Sequence, residues 1–425
     1  MAVCLGCGCT CDDIEVRIEA GRIVEARRAC SLGESWFGDG TVPIRVRVAG
    51  SDTSMAVAVD AAAGALAGAA RPLIYLGGDI SCEAQREGIA LADLLRARVA
   101  TLTSSSALPS VLAAQEQGRP SATLGEIRNR ADVLVFWGVD PAVRYPRYWT
   151  RYAPEPIGLH VPRGRRSRTI VTVDVGNRRG PSDADLRLQV APEEEVAVLT
   201  MVAAAVQHPP AAADTDESSR NRERLAAALR DGRYVVLVAD AEDDDAAGPV
   251  DRGRPAALIA LAQALNATTR CALSTLRGGG NRSGADACMT SQTGYPASVD
   301  FAWGYPRYRP HDLLGGAGEA PDVVLVLGSG EAIPAGTWHV VRDARRVLIG
   351  PRASTASLAA ADITIDTAVA GIHEGGTAVR MDDIALPLRP PLSGAVAARD
   401  VIRQLRDRVS LRLGHGGPAA AVGGS

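Results

Sequence analysis

Apolar residues in this chain gather in short uninterrupted runs: Leu73-Ile74-Tyr75-Leu76, Val133-Leu134-Val135-Phe136-Trp137, Ile170-Val171-Thr172-Val173, Val235-Val236-Leu237-Val238, Val323 to Leu327 and Val347-Leu348-Ile349. Runs this short, without polar alternation, predict strands covered on both faces. Amphipathic stretches at 82–97, 193–207, 218–230 and 253–265 lie between several of them and predict helices. The order predicts an α/β chain built on parallel sheets with helices on both sides. The start differs: Asp12 to Ile18 alternates, Gly21 turns the chain and Ile23-Val24 begins a return strand, so a hairpin is expected there. Val42 to Val48 reads as a short strand, and Ser51 or Asp52 as the cap of an alanine-rich helix running to about Ala70. No apolar run approaches the roughly 20 residues of a membrane helix. A soluble, cytoplasmic protein is the expectation, and 425 residues allow two or three domains.

Composition removes some chemistry. A formal charge of −3 and a pI near 6.1 argue against nucleic acid as a partner. All 46 basic Lys+Arg positions are arginine, which excludes Schiff-base lysines and a P-loop lysine. Five of the eight cysteines fall within the first thirty residues. The spacing Cys4-x2-Cys7-x3-Cys11-x18-Cys30, with Cys9 as a spare, suits a [4Fe-4S] cluster better than zinc, because three close cysteines and a remote fourth are a cluster habit. Zinc, and a terminus that frays or holds a disulfide, stay open as alternatives.

Ligands of open α/β sheets bind beyond the carboxyl ends of the strands. Those ends read Gly77-Gly78-Asp79, Gly138-Val139-Asp140-Pro141, Asp174-Val175-Gly176-Asn177-Arg178 and Gly328-Ser329-Gly330. Each alone reads as an ordinary βα turn; together they suggest a nucleotide-like ligand site. Arg277-Gly278-Gly279-Gly280-Asn281-Arg282-Ser283-Gly284 could wrap a phosphate, although it fits neither the Walker nor the Rossmann spacing. Two segments rich in arginine and aromatics, Arg144 to Tyr152 and Gly304 to Pro310, suit a partner or a ligand.

Specific residues then carry a resemblance. The chain from Cys4-Leu5-Gly6-Cys7 and Cys11-Asp12-Asp13-Ile14, through Asn129-Arg130-Ala131-Asp132, Phe136-Trp137-Gly138, Asp140-Pro141, Pro146-Arg147 and Arg151-Tyr152, resembles the B subunit of formylmethanofuran dehydrogenase. Arg277-Gly278 through Asn281 to Gly284-Ala285-Asp286, Gln292 to Pro296, Gly304 to Tyr308 and Glu374 to Asp382 extend the likeness over nearly the whole chain. The resemblance implies a molybdopterin-oxidoreductase-like fold: a small N-terminal Fe-S-type β domain at 1–50, a discontinuous α/β domain at 51–150 and 300–375, an inserted α/β domain at 151–299, and a C-terminal helix and flexible tail at 376–425, without a C-terminal barrel domain. It also implies a [4Fe-4S] cluster on Cys4, Cys7, Cys11 and Cys30, and molybdenum or tungsten on two pterin guanine dinucleotides, for which Gly138, Asp140, Arg147, Asp174, Arg178, Gly278, Asn281 and Gly284 are the candidate contacts.

Departures from the family pattern decide the expected function. The family's metal-ligating cysteine and acid-base histidine fall here on Ser106 and Ala107. Alanine cannot move a proton, so redox activity is not expected and the molybdenum or tungsten centre is expected to be lost. The resemblance then points to the B subunit of a bacterial formyltransferase/hydrolase complex in tetrahydromethanopterin-linked one-carbon metabolism, a non-redox scaffold beside hydrolase, formyltransferase and β-helical subunits. The alternative is a working molybdenum or tungsten dehydrogenase that uses Ser106 as a metal ligand.

Overall fold

The computed structural model describes residues 1–209, 217–242, 252–310, 320–329, 341–355 and 361–414. Two parallel sheets organise them. In the larger, the strands Arg98–Thr101, Pro72–Leu76, Val323–Leu327, Arg345–Gly350 and Ile363–Asp366 run parallel in that spatial order. Antiparallel strands close both edges: Ser298–Asp300 and Arg307–Tyr308 beside Arg98–Thr101, Val46–Val48 and Ser51–Asp52 beside Ile363–Asp366. The smaller sheet is all parallel, in the order Arg270–Leu276, Tyr234–Asp240, Val133–Trp137, Thr169–Val175, Leu186–Val190.

Each expected apolar run is a strand, and the four amphipathic stretches are the helices Cys82–Leu95, Glu195–Gln207, Glu217–Asp231 and Gly253–Asn266. Three details differ. Ser51 and Asp52 do not cap the alanine-rich helix; they belong to an edge strand, and Ser54 caps Met55–Ala67 by accepting from the Val57 N–H. The strand Val133–Trp137, expected with the first α/β domain, lies at the centre of the smaller sheet, so that sheet begins well before residue 151. The two faces of the smaller sheet are also covered differently. Val133, Val135 and Trp137 point to the three helices Glu195–Gln207, Glu217–Asp231 and Gly253–Asn266. Leu134 and Phe136, alternating with them, point instead to a core shared with Cys9, Cys11, Ile14, Tyr148, Tyr152 and Met381. The cysteine-rich start therefore shares the covering of that face with the helices Leu124–Arg130 and Arg147–Arg151.

That start is a lobe of its own. Glu15–Glu19 and Arg22–Arg27 form the expected hairpin, with Gly21 at φ +75° in the turn, and Cys30 precedes the helix Ser31–Phe37. A second hairpin, Gly376–Val379 with Ala385–Leu388, packs alongside: the Met381 N–H donates to the Gly8 carbonyl at 3.2 Å. The helix Ala398–Arg412 lies against Met55–Ala67 and Cys82–Leu95, and residues 415–425, expected to be a flexible tail, lie outside the described residues.

The carboxyl edges of the two sheets meet at the crossing Arg277–Asn281, which leaves the smaller sheet after Leu276 and enters the helix Arg282–Thr293 against the larger one. Gly280, at φ +74°, lies so close to the Gly78 backbone that a Cβ would overlap its carbonyl. Its N–H donates to Leu5 O at 2.9 Å, and the next N–H, of Asn281, donates to Gly78 O. Asn281 is fully buried. Its Nδ2 shares its hydrogens among Ile80 O (3.0 Å), Gln85 Oε1 (3.2 Å) and Cys82 Sγ (3.3 Å), while its Oδ1 accepts from the Val379 N–H at 2.7 Å. One side chain thus ties the larger sheet, the crossing and the C-terminal hairpin. Beside it Glu242, which follows the strand Tyr234–Asp240, accepts from Arg282 at 2.6 Å and Arg144 at 2.9 Å. Burial alone would raise its carboxyl; Arg282, the Gly278 N–H and Arg277 outweigh that and hold it below the ordinary carboxylate range.

Two outcomes follow from this crossing. Asn281→Ala leaves the Val379 N–H and the Ile80 carbonyl without partners inside the protein, so denaturant unfolding is expected to show a loss of about 2–4 kcal/mol. Because the folded-state pKa of Glu242 is depressed, its contribution is present above the unfolded carboxylate value of about 4.3 and lost as pH falls through the folded value. Glu242→Gln should therefore flatten the acid side of the stability-versus-pH curve while lowering stability at neutral pH. An unchanged acid slope in that variant would show that Glu242 is not a source of the pH dependence.

Candidate functional site

Two places combine concavity with reactive groups: the cysteine lobe, and a cavity of about 310 Å³ at the meeting sheet edges.

Within the lobe, Cys4, Cys7, Cys9 and Cys11 are buried and Cys30 is half-buried. Gly33 separates two of the sulfurs, for a Cβ there would stand 3.4 Å from Cys4 Sγ and 4.0 Å from Cys30 Sγ. Burial pushes the Cys4 thiol up, the Gly6 N–H at 3.4 Å opposes this, and Cys11, Cys7 and Cys30 add to it, so the four expected ligands share one electrostatic neighbourhood. Cys7 moves the other way, to about 7, first through a hydrogen bond from Cys9, against burial, and with help from backbone N–H groups and Arg147. Cys9, the spare, is raised by the same hydrogen bond and by burial.

Cationic groups reach this pocket from the segment after Pro146. Arg147 holds both Asp13 oxygens, at 2.6 and 2.7 Å, and Arg151 pairs with Asp12 and, at 2.9 Å, with Asp13. Burial would raise the Asp13 carboxyl, and Arg147 and Arg151 overcome it. Both arginines also hydrogen-bond Cys11, although burial still leaves that thiol raised. Arg147, expected at a nucleotide, thus belongs to the thiol pocket. The buried hydroxyls of Tyr145 and Tyr152 lie beside the same thiols without a hydrogen-bond partner among the described residues.

The lobe fits a cluster of thiolate-bound iron in its donor set: four soft ligands, N–H groups aimed at sulfur, and two arginines to offset negative charge. Among the described residues, no three Cys, His, Asp or Glu side chains converge as a single-ion site. Cys4, Cys7, Cys11 and Cys30 would hold the cluster, and it would supply a one-electron centre.

The cavity at the sheet edges is lined by Ala107, Ser110, Val111, Arg119, Thr275, Arg277 and Asp286, among others. Ala107 is buried in its wall, between the short helix Thr103–Ser106 and the helix Leu108–Gln117. Ser106 Oγ turns back to donate to Leu102 O at 3.0 Å. The ionisable side chains nearby are largely paired within the protein, although Arg277 Nε is buried without a partner among the described residues. Asp286 accepts from Thr101 at 2.9 Å, from Thr103, and from Arg277 at 2.8 Å, and Arg119 donates to Thr275 at 2.7 Å. Burial lowers Arg119 against the pull of Asp383, and nearby Arg277 lowers it further. Sequence reasoning did not single out Arg119, Thr275 or Thr103. Arg119 stands in a Gly-Arg-Pro turn that carries no local signal, and only the fold brings it to Arg277.

The remaining expected cofactor contacts are dispersed and engaged. Asp174 is buried and accepts from the Gly180 N–H at 2.9 Å, Arg187 at 2.7 Å and Gln189 at 2.8 Å. Asp140 caps the turn Pro141–Arg144 through the Ala142 N–H. Arg178 pairs with Glu195 at 2.7 Å, and Gly138 packs against it. Gly278 lies against Arg282 and Glu242, and Gly284 against Asn281. As arranged here, Asp174, Gly278 and Gly284 are engaged by the chain's own groups, while Asp140 and Arg178 are each engaged in part. A cavity of about 310 Å³ is at the small end even for one drug-sized ligand.

No family model matches the chain. In fold it is similar to a chain in the crystal structure of the formyltransferase/hydrolase complex from Methylorubrum extorquens with methylofuran, with a TM-score of 0.71 and 22% identity over 87% of this chain and 100% of that one. In sequence it is 31% identical to the B subunit of tungsten-containing formylmethanofuran dehydrogenase 2 from Methanococcus maripaludis, covering 96% of this chain and 98% of that protein. Its counterpart from Methanocaldococcus jannaschii is 33% identical over 439 residues, 97% of this chain and 98% of that one. With its cysteine lobe, its paired parallel sheets and this likeness along nearly its whole length, the chain belongs to the family of formylmethanofuran dehydrogenase B subunits.

Proposed function

We propose that this chain is the B subunit of a formyltransferase/hydrolase complex in tetrahydromethanopterin-linked one-carbon metabolism, where it acts as a non-redox scaffold beside hydrolase, formyltransferase and β-helical subunits. The observation that carries this reading is the pair Ser106–Ala107. Where the family resemblance calls for a metal-binding thiolate and a proton carrier, the serine is hydrogen-bonded to its own helix and the alanine is part of a cavity wall. Loss of a positioned acid-base group costs roughly 10²–10⁴ in rate, and the arginine, aspartate and threonines at the cavity are engaged with one another. The fold likeness to the Methylorubrum extorquens complex supports the scaffold reading.

A second reading is an active molybdenum or tungsten dehydrogenase with Ser106 as metal ligand. The identity with the two tungsten-containing relatives and the grouped thiols favour it. In the scaffold reading the same thiols hold a structural [4Fe-4S] cluster.

Elemental analysis by plasma mass spectrometry separates the two readings. The purified complex is expected to carry iron, no stoichiometric molybdenum or tungsten, and no formate-dependent reduction of viologen dyes, while releasing formate from formyl-tetrahydromethanopterin. About one molybdenum or tungsten per chain together with dye reduction would establish the dehydrogenase. For the lobe, a metal held by four thiolates contributes on the order of 10 kcal/mol to folding in the zinc case. Serine at Cys4, Cys7, Cys11 or Cys30 should therefore cut both bound iron and folded yield, whereas Cys271→Ser should spare the iron. Equal tolerance at all five positions would reject a metal site.

A further inference from the structure

A second group of thiols lies outside the N-terminal lobe, where the halves of the chain pack together. Cys82 is the first residue of the helix Cys82–Leu95, on the larger sheet. Cys288 belongs to Arg282–Thr293, the helix that follows the crossing from the smaller sheet, and the two helices lie against each other. The Cys288 thiol donates to the Cys82 carbonyl oxygen at 3.5 Å, and the two thiols are neighbours that perturb each other's protonation. Asn281 Nδ2 donates to the Cys82 sulfur at 3.3 Å, and both sulfurs feel Arg86. Glu83 also faces Cys82, with its oxygens engaged by Thr377 at 2.8 and 2.9 Å.

The two thiols are unequal. Cys82 is held below its ordinary value, first by the neighbouring Cys288 thiol, against burial, with Asn281 and Arg86 assisting. Its place at the start of a helix, where unsatisfied N–H groups favour negative charge, acts in the same direction. Cys288 is pushed up by Cys82 and by burial. One sulfur is therefore suited to attack, and its neighbour to resolve what the attack produces.

We propose that Cys82 and Cys288 are a redox-active pair that closes to a disulfide on oxidation by a hydroperoxide, joining the helix Cys82–Leu95 to the helix Arg282–Thr293. With hydrogen peroxide, the Cys82 thiolate attacks one oxygen; the S–O bond forms, the O–O bond breaks, and hydroxide leaves and is protonated to water. The Cys288 sulfur then attacks the resulting sulfenic sulfur, expelling the second oxygen as water and closing the S–S bond. In sum, two thiols and one peroxide give one disulfide and two waters. The bond would span 206 positions and lock together helices that now meet through packing, the Asn281 hydrogen bonds and the long contacts of Cys288 and Gln292 to the carbonyls of Cys82 and Arg86.

The test uses the full-length protein, reduced, freed of reductant, and treated with graded hydrogen peroxide before alkylation and tryptic digestion without reductant. Mass spectrometry is expected to find the Cys82 and Cys288 peptides joined, two hydrogens lighter than their sum, at peroxide levels that leave the isolated buried thiol Cys271 alkylated. Cys288→Ser should leave a sulfenic acid on Cys82 that dimedone traps, whereas Cys82→Ser should leave Cys288 unreacted. The melting temperature of the oxidised wild-type protein should rise and return with dithiothreitol. Recovery of the two peptides separately across the whole peroxide series would overturn the proposal. So would an equal yield of the joined peptide from guanidinium-unfolded protein, since the pairing would then owe nothing to the fold. The wild-type digest decides the question even where a variant fails to fold.

Discussion

The crossing Arg277–Asn281 is the point at which both sheets and the cysteine lobe are tied to one another. Two parallel sheets that bring their carboxyl edges together present each other with unpaired backbone groups, and a buried edge is tolerable only where those groups find partners. Here the partners come from the opposite sheet and from the cysteine lobe: Gly78 O receives the Asn281 N–H, Leu5 O receives the Gly280 N–H, and Asn281 Oδ1 receives the Val379 N–H. Backbones approach this closely only without side chains between them, which explains the run of glycines at 278–280 better than a phosphate cradle does. The same edges that open α/β sheets use for ligands are used here for assembly.

That use has a chemical consequence at the cavity beside the crossing. Asp286, Arg277, Thr101 and Thr103 are hydrogen-bonded to one another, while Arg277 Nε is buried without a partner among the described residues. Groups paired in this way position a helix well and move a proton poorly, because the pairing favours one protonation state. Arginine deepens the effect. Its guanidinium stays charged at any working pH, so in a chain without lysine the cations at the cavity can orient an anion or hold a carboxylate but cannot serve as acid or base.

The central strands were legible because burial on both faces leaves a signature that needs no partner to be read: Val323–Leu327 and Val133–Trp137 are apolar at every position. Edge and mixed strands were not, since Leu186–Val190 carries polar residues toward solvent and Arg98–Thr101 is short and half polar, so both look like helix or loop locally. The strand-end carboxylates were found as positions, but their partners within the chain were not. Asp174 illustrates why: Gln189 stands opposite it on the adjacent strand and Arg187 two residues earlier, and register between strands is not written in either segment alone. The cysteine motif was legible as chemistry, yet its second role, covering one face of the smaller sheet, depends on Leu134 and Phe136 pointing away from the helices.

This covering role bears on why a scaffold without redox chemistry would keep Cys4, Cys7, Cys11 and Cys30. The lobe brings a short helix and one hairpin, and many of its own buried side chains are the cysteines themselves. A lobe of this size buries too little apolar surface to order itself. If it opened, Phe136, Ile170, Val236 and Ala272 would lose their cover, and Gly280 would lose its acceptor on Leu5. Thiolates bound to a metal stabilise such a lobe without any electron passing through it, as structural metal sites do in other small folds. Selection for a folded smaller sheet would then be sufficient to retain the four ligands, which weakens the support that they lend to the dehydrogenase. The discriminating residues are Ser106 and Ala107, at the junction of two short helices, where the Ser106 hydroxyl and both N–H groups bond back to Leu102 and Thr103.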